Sequence, residues 1–179
     1  MKGGAYLFLA LIVSMTNKQI VDAAQTAVLP VHVSNTFQFA VRAPLSRAAP
    51  LFGPEGERCW AGQHWNPEFL YPQPGKDIQG AVFTVHNGPH TSVWVTTLFD
   101  PAGGRMQYVS LIPGTLVFTV DVRLTALNAS STNVDVTYAR TALNAEANDD
   151  VQAMGKSDRE SGPHWRQAIE SCLTGQQSG

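Results

Sequence analysis

LVFTVDVRLTAL, residues 116–127, alternates apolar and polar side chains almost from end to end. Leu116, Phe118, Val120, Val122 and Leu124 fall on one side, and Thr119, Asp121, Arg123 and Thr125 on the other. A period of two is the mark of a strand with one dry and one wet face. At about 3.3 Å per residue this strand runs roughly 35–40 Å. It has neighbours of the same kind: residues 80–86, 92–99 and 105–112 before it, and 133–140 after it. The separators are short and made of turn formers: Asn87-Gly-Pro, the Asp100 to Gly104 stretch, Pro113-Gly114 and Asn128-Ala-Ser-Ser. Connections this short join antiparallel neighbours.

Further out, residues 31–43 (VHVSNTFQFAVRA) alternate at Phe37, Phe39 and Val41, which predicts one more strand. Residues 44–52 predict a short helix, opened by Pro44 and kept short by Pro50 and Gly53-Pro54. Residues 53–76 read as a long connection, and its Trp60, Trp65, Phe69 and Tyr71 predict that it folds onto the body. After residue 140 the composition turns toward helix formers. In HWRQAIESCL, residues 164–173, Trp165, Ala168, Ile169 and Cys172 share one helical face. Ser161-Gly162-Pro163 must break or kink the helix before that point.

The fold class is therefore α+β: an antiparallel meander, long and curved, with a C-terminal helix. A helix of about 25–30 residues is roughly 40 Å long, as long as the main strand. One such rod can lie along a bent sheet but cannot fill its concave face. A cavity, an aromatic filling, or both must occupy the difference.

Composition narrows the function. The chain has 179 residues, a formal charge of −2 and no Lys/Arg cluster, so a nucleic-acid or anionic-membrane surface is not expected. Residues 1–24 read as a signal peptide: Met1-Lys2, an apolar run from Ala5 to Met15, then small residues at Ala23-Ala24. That predicts an exported, periplasmic protein with no integral span after processing; the alternative is a cytoplasmic protein with an N-terminal helix packed on its domain. The folded domain is expected over residues 25–175. Cys59 and Cys172 are the only cysteines. Two readings stand: a disulfide closing a long loop, or two buried free thiols.

EGERCWAGQHWNP, residues 55–67, holds two of the four tryptophans. GERCWAGQHWNPEFL (56–70), together with GAVFTV (80–85), VWVTTLFDPAGGRMQYV (93–109), VTYARTALNAEAND (136–149) and HWRQAIESCL, resembles a bacterial branch of the SRPBCC superfamily. That superfamily includes START lipid-transfer domains, birch-pollen-allergen-type proteins and polyketide cyclases. The resemblance runs from about residue 37 to 173. It implies a helix-grip fold, a sheet of about seven strands gripping the C-terminal helix over a hydrophobic cavity.

Trp60 and Trp65 then read as loop anchors or as rings stacking on a ligand at the cavity mouth. Trp94, Tyr108, Tyr138 and Trp165 pair an apolar body with a polar tip and read either as ligand-orienting side chains or as core packing with the tip at the edge. Glu57, beside tryptophans, is either a desolvated acid or an acid tied to Arg58, Arg140 or backbone amides. No metal is expected, because His32, His64, His86, His90 and His164 show no ligand spacing. No phosphate loop or nucleophile elbow occurs, and no cofactor is expected. Asp121 and Arg123 share a wet strand face and read as a solvated pair.

Two functions follow as expectations. The first is binding or carriage of a small lipid-, terpenoid- or polyketide-like molecule. The second is a cyclase or aromatase reaction, with Glu57 and Tyr138 in acid/base and orienting roles. An envelope protein whose groove takes a partner segment is a third reading.

Overall fold

The alternating stretch at 116–127 is an inner strand of a seven-stranded antiparallel sheet in the computed structural model, which describes residues 28–175. The strands are β1 (His32–Val41), β2 (Glu68–Tyr71), β3 (Val82–Asn87), β4 (His90–Asp100), β5 (Arg105–Ile112), β6 (Leu116–Asn128) and β7 (Ser131–Ala142), ordered β1-β7-β6-β5-β4-β3-β2. The helices are α1 (Leu45–Ala48), α2 (Asn148–Glu160) and α3 (Gly162–Leu173). Leader-like residues 1–24 lie outside the described residues.

Pairing register places the apolar sets of successive strands on one face. Phe37 pairs with Val136 and Phe39 with Val134, while Val136 pairs with Val122 and Val134 with Leu124. Along β6, Leu116, Phe118, Val120, Val122 and Leu124 are all buried. Bulges between Thr96 and Leu98, and between Ala126 and Asn128, bend the strands and add twist. Asp121 and Arg123 pair on the opposite face at 2.9 Å, where an exposed ion pair contributes little.

The helical segment is two helices rather than one kinked rod. α2 ends at Glu160, capped by Ser161, and α3 starts afresh with Pro163 in its first turn, where a missing N–H costs nothing. α2 packs against β1 and β7, and α3 against β1. Close approach depends on glycines: a Cβ on Gly155 would sit 3.0 Å from Val33 Cγ2, and one on Gly162 would sit 3.2 Å from the Gln38 carbonyl. Asn148, at the start of α2, accepts from Val31 N at 2.8 Å and donates to Leu29 O at 3.0 Å, tying the lead into β1 to the helix. α2 and α3 are each only about 20 Å long at 1.5 Å per residue, so part of the concave face stays uncovered.

Two sequence readings change here. The 53–76 connection contains a strand: β2 pairs with β3 and forms a sheet edge. It is four residues long, mostly exposed and flanked by Pro67 and Pro72, so it shows no alternation. Cys59 and Cys172 are joined, with Cα atoms 5.7 Å apart, which removes the free-thiol reading.

Candidate functional site

The single-turn 3₁₀ helix Gly56–Cys59 is tied down on every side except one. The Asp77 carboxylate accepts from the amides of Glu55 at 2.8 Å and Gly56 at 3.3 Å. Arg58 donates to the Glu55 carboxylate at 3.1 Å, to Asn66 Oδ1 at 2.7 Å and to the Pro67 carbonyl. Cys59 is bonded to α3. Trp60 Nε1 donates to Leu51 O at 2.7 Å, and Trp65 Nε1 to Pro54 O at 2.9 Å. The remaining side chain, Glu57, faces inward.

Gly56 is required by a close approach. A Cβ there would lie 2.1 Å from the Pro50 carbonyl oxygen and 2.9 Å from Leu51 Cα, both backbone atoms. Gly56→Ala is expected to cost about 1–3 kcal/mol, the usual range for overpacking. Urea denaturation will measure it; a midpoint unchanged from wild type would show that the turn is loosely held.

Glu57 looks into a cavity of about 450 Å³. Tyr108, Val120 and Tyr138 form one cross-strand row of its floor, and Phe118 and Arg140 belong to the next. Trp94 walls the β4 side, with its ring centroid 5.1 Å from Phe118 and 5.4 Å from Trp65. Trp165 walls the helix side, 4.9 Å from Trp60 and 5.2 Å from Phe37. All four tryptophans of the chain line this one space.

Most polar tips along the wall are already occupied. Trp94 Nε1 donates to Ser92 Oγ at 2.8 Å, and Tyr108 OH donates to the Phe52 carbonyl. Arg140 makes a two-pronged bond to Asp158 at 2.8 and 2.6 Å, with its guanidinium 4.8 Å from the Phe118 ring centre and 4.3 Å from that of Tyr138. Among the described residues, the Glu57 carboxyl, Tyr138 OH and Trp165 Nε1 make no hydrogen bond to protein. Neither arginine weighed as a Glu57 partner serves it: Arg58 holds Glu55, and Arg140 holds Asp158. Loss of hydration pushes the Glu57 carboxyl well above the usual carboxylate range, and the Asp77 charge pushes it the same way. Burial, followed by the charge of Glu57, raises both Tyr108 and Tyr138.

The structure thus brings Glu57, Trp60, Trp65, Trp94, Tyr108, Tyr138 and Trp165 to one cavity. Sequence reasoning missed Asp77, Asp158, and the presence of Arg140 and His164 on the wall. Asp77 stands in a polar loop with nothing to mark it. Arg140 follows Tyr138 at a spacing of two on β7, a placement the strand periodicity could have supplied. Among the described residues, no cluster of three metal-ligating side chains occurs, and no helix is long and apolar enough to cross a membrane.

No family model and no curated protein matches the chain. Solved structures do. Norcoclaurine synthase from Thalictrum flavum, in complex with dopamine and hydroxybenzaldehyde, superposes with a TM-score of 0.60 at 14% identity, over 96% of this chain and 100% of that one. The Zhui aromatase/cyclase from Streptomyces sp. R1128 gives 0.56 at 17% identity, over 80% and 96%. Ara h 8.0201 gives 0.56 at 14% identity, over 80% and 99%. At these identities the likeness establishes the fold, which is the helix-grip fold implied by the sequence resemblance.

Proposed function

We propose that this chain binds and carries a small, mainly apolar molecule in the cavity beneath the 55–67 loop. The observation that carries the reading is the cavity's wall: aromatic and aliphatic, with most N–H and O–H groups bonded to the protein itself. A volume of about 450 Å³ lies within the roughly 300–1,000 Å³ usual for small-molecule sites. Apolar burial at about 25 cal/mol per Å² would drive binding, and the few free polar groups would orient the ligand. Neighbours of the same fold support the reading: one holds two small aromatic molecules, and another is an aromatase/cyclase. The disulfide supports placement outside a reducing cytosol, in keeping with export guided by residues 1–24.

The test is native mass spectrometry of protein purified from its own host, followed by delipidation and titration with a hydrophobic fluorophore. A co-purifying small molecule, and tryptophan emission that changes as the fluorophore enters, are expected. No adduct, and no binding across a panel of lipids and aromatic compounds, would remove the reading.

One observation favours the second reading, a cyclase-type reaction. Among the described residues Glu57 is an acid without an ion-pair partner that lines the cavity together with Tyr138, and burial holds its carboxyl well above the usual carboxylate range, toward the range where general acid/base catalysis works best. The same experiment separates the two. A molecule released with its mass unchanged marks a carrier, and one converted in a Glu57-dependent way marks an enzyme.

A further inference from the structure

Every arginine near the cavity has an acid of its own. Arg58 is held by Glu55 at 3.1 Å, and Arg140 by Asp158 at 2.6 Å. Glu57 is left over. Among the described residues it lines the cavity without an ion pair or a hydrogen bond to its carboxyl. A charge placed there without a counter-ion is costly, and among the described residues Arg58 and Arg140 are both engaged by other acids.

Resting on the binding reading above, we infer that the ligand carries a basic nitrogen, an ammonium head seated against the Glu57 carboxylate among the rings of Trp60, Trp65 and Tyr138. Three observations agree. The wall is rich in tryptophan, the side chain that best attracts a cation to its ring face. The fold already uses such contacts, since the Arg140 guanidinium rests over Phe118 and Tyr138. Asp77, bonded to the backbone of the turn that carries Glu57, adds a second negative group behind it. That second charge would repel a carboxylate ligand and attract an ammonium. A neutral apolar ligand would fill the same space but leave Glu57 without a role.

The charge balance is simple. With no ligand, burial favours the protonated Glu57 carboxyl; an ammonium head supplies the missing counter-ion and favours the carboxylate. Amine affinity should therefore fall as pH falls through the raised Glu57 titration. The groups facing Glu57 in this balance are Asp77 behind the turn, Tyr108, Tyr138 and Arg140 on the sheet, and His164 on α3. A protonated His164 would weaken amine binding in the same direction, so His164→Gln is included as a control.

The experiment titrates delipidated full-length protein with naphthylethylammonium, naphthylethanol and naphthylacetate, followed by tryptophan emission. The ammonium is expected to bind about tenfold more tightly than the alcohol, and the carboxylate most weakly. In Glu57→Gln, which keeps size and loses charge, the ammonium should fall to the level of the alcohol. The ratio of the two affinities is the readout, and a melting temperature close to that of wild type shows separately that the variant is folded. Should Glu57→Gln not fold, the decision rests on the pH profile of ammonium against alcohol in wild type and His164→Gln. An ammonium no tighter than the alcohol overturns the inference and leaves the cavity reading intact. Failure of all three probes to bind overturns both.

Discussion

Reducing the Cys59–Cys172 bond is expected to lower the free energy of unfolding by about 4–5 kcal/mol, the chain-entropy value for a loop of this length. The two cysteines are 113 residues apart, so the bond closes a loop over about three-quarters of the described chain in its unfolded state. For a domain of this size each kcal/mol moves the melting temperature by about 2–4 °C. A drop of about 10–20 °C is therefore expected in thermal unfolding with reductant. The double variant Cys59→Ala/Cys172→Ala should show the same loss and no further response to reductant. The folded state feels the bond as well. It joins the turn that carries Glu57 to the helix that carries Trp165, so two adjoining walls of the cavity are covalently linked. Reduced protein should exchange a bound fluorophore faster than oxidised protein at a temperature where both are folded. A melting temperature that reductant leaves unchanged would mean that the thiols are not paired in solution.

The sheet was legible because its evidence is local. Alternation along 116–127 and turn formers at each separator say which residues face inward before any contact is known. The break before α3 was legible for the same reason, since proline and glycine act on their own backbone. β2 was not, because a short exposed edge strand between prolines has no buried face to impose a period. The cysteine pairing and the state of Glu57 were illegible on different grounds. Each depends on which residues distant in sequence come within a few ångströms. The Arg140 guanidinium decides the matter for Glu57: two bonds to Asp158 remove the partner that would have made Glu57 structural. The sequence offered Glu57 two arginines, Arg58 and Arg140, and backbone amides, and only geometry chose among them.

Removing that pairing from one side should be among the most damaging changes to the fold. Arg140 and Asp158 are 11% and 7% exposed, and their bond ties β7 to α2. Asp158→Ala leaves a guanidinium buried without its acid, a defect that costs about 3–5 kcal/mol. Arg140→Leu leaves a buried carboxylate and should cost a similar amount. The double variant Arg140→Leu/Asp158→Leu removes both charges, and its loss should be well below the sum of the single losses, because a well-packed apolar pair often matches a buried ion pair. Urea denaturation of the four proteins gives the coupling directly; additive losses would show that the pair is not the unit described. Ligand binding offers an independent readout. In Asp158→Ala the freed guanidinium faces the cavity already occupied by Glu57, and the simplest relief is a new Glu57–Arg140 pair or an anionic ligand. Either way the ammonium probe should lose its advantage over the alcohol while Glu57 itself is untouched. Retention of that advantage in folded Asp158→Ala would mean that the free acid, and not the balance of charge around it, selects what enters.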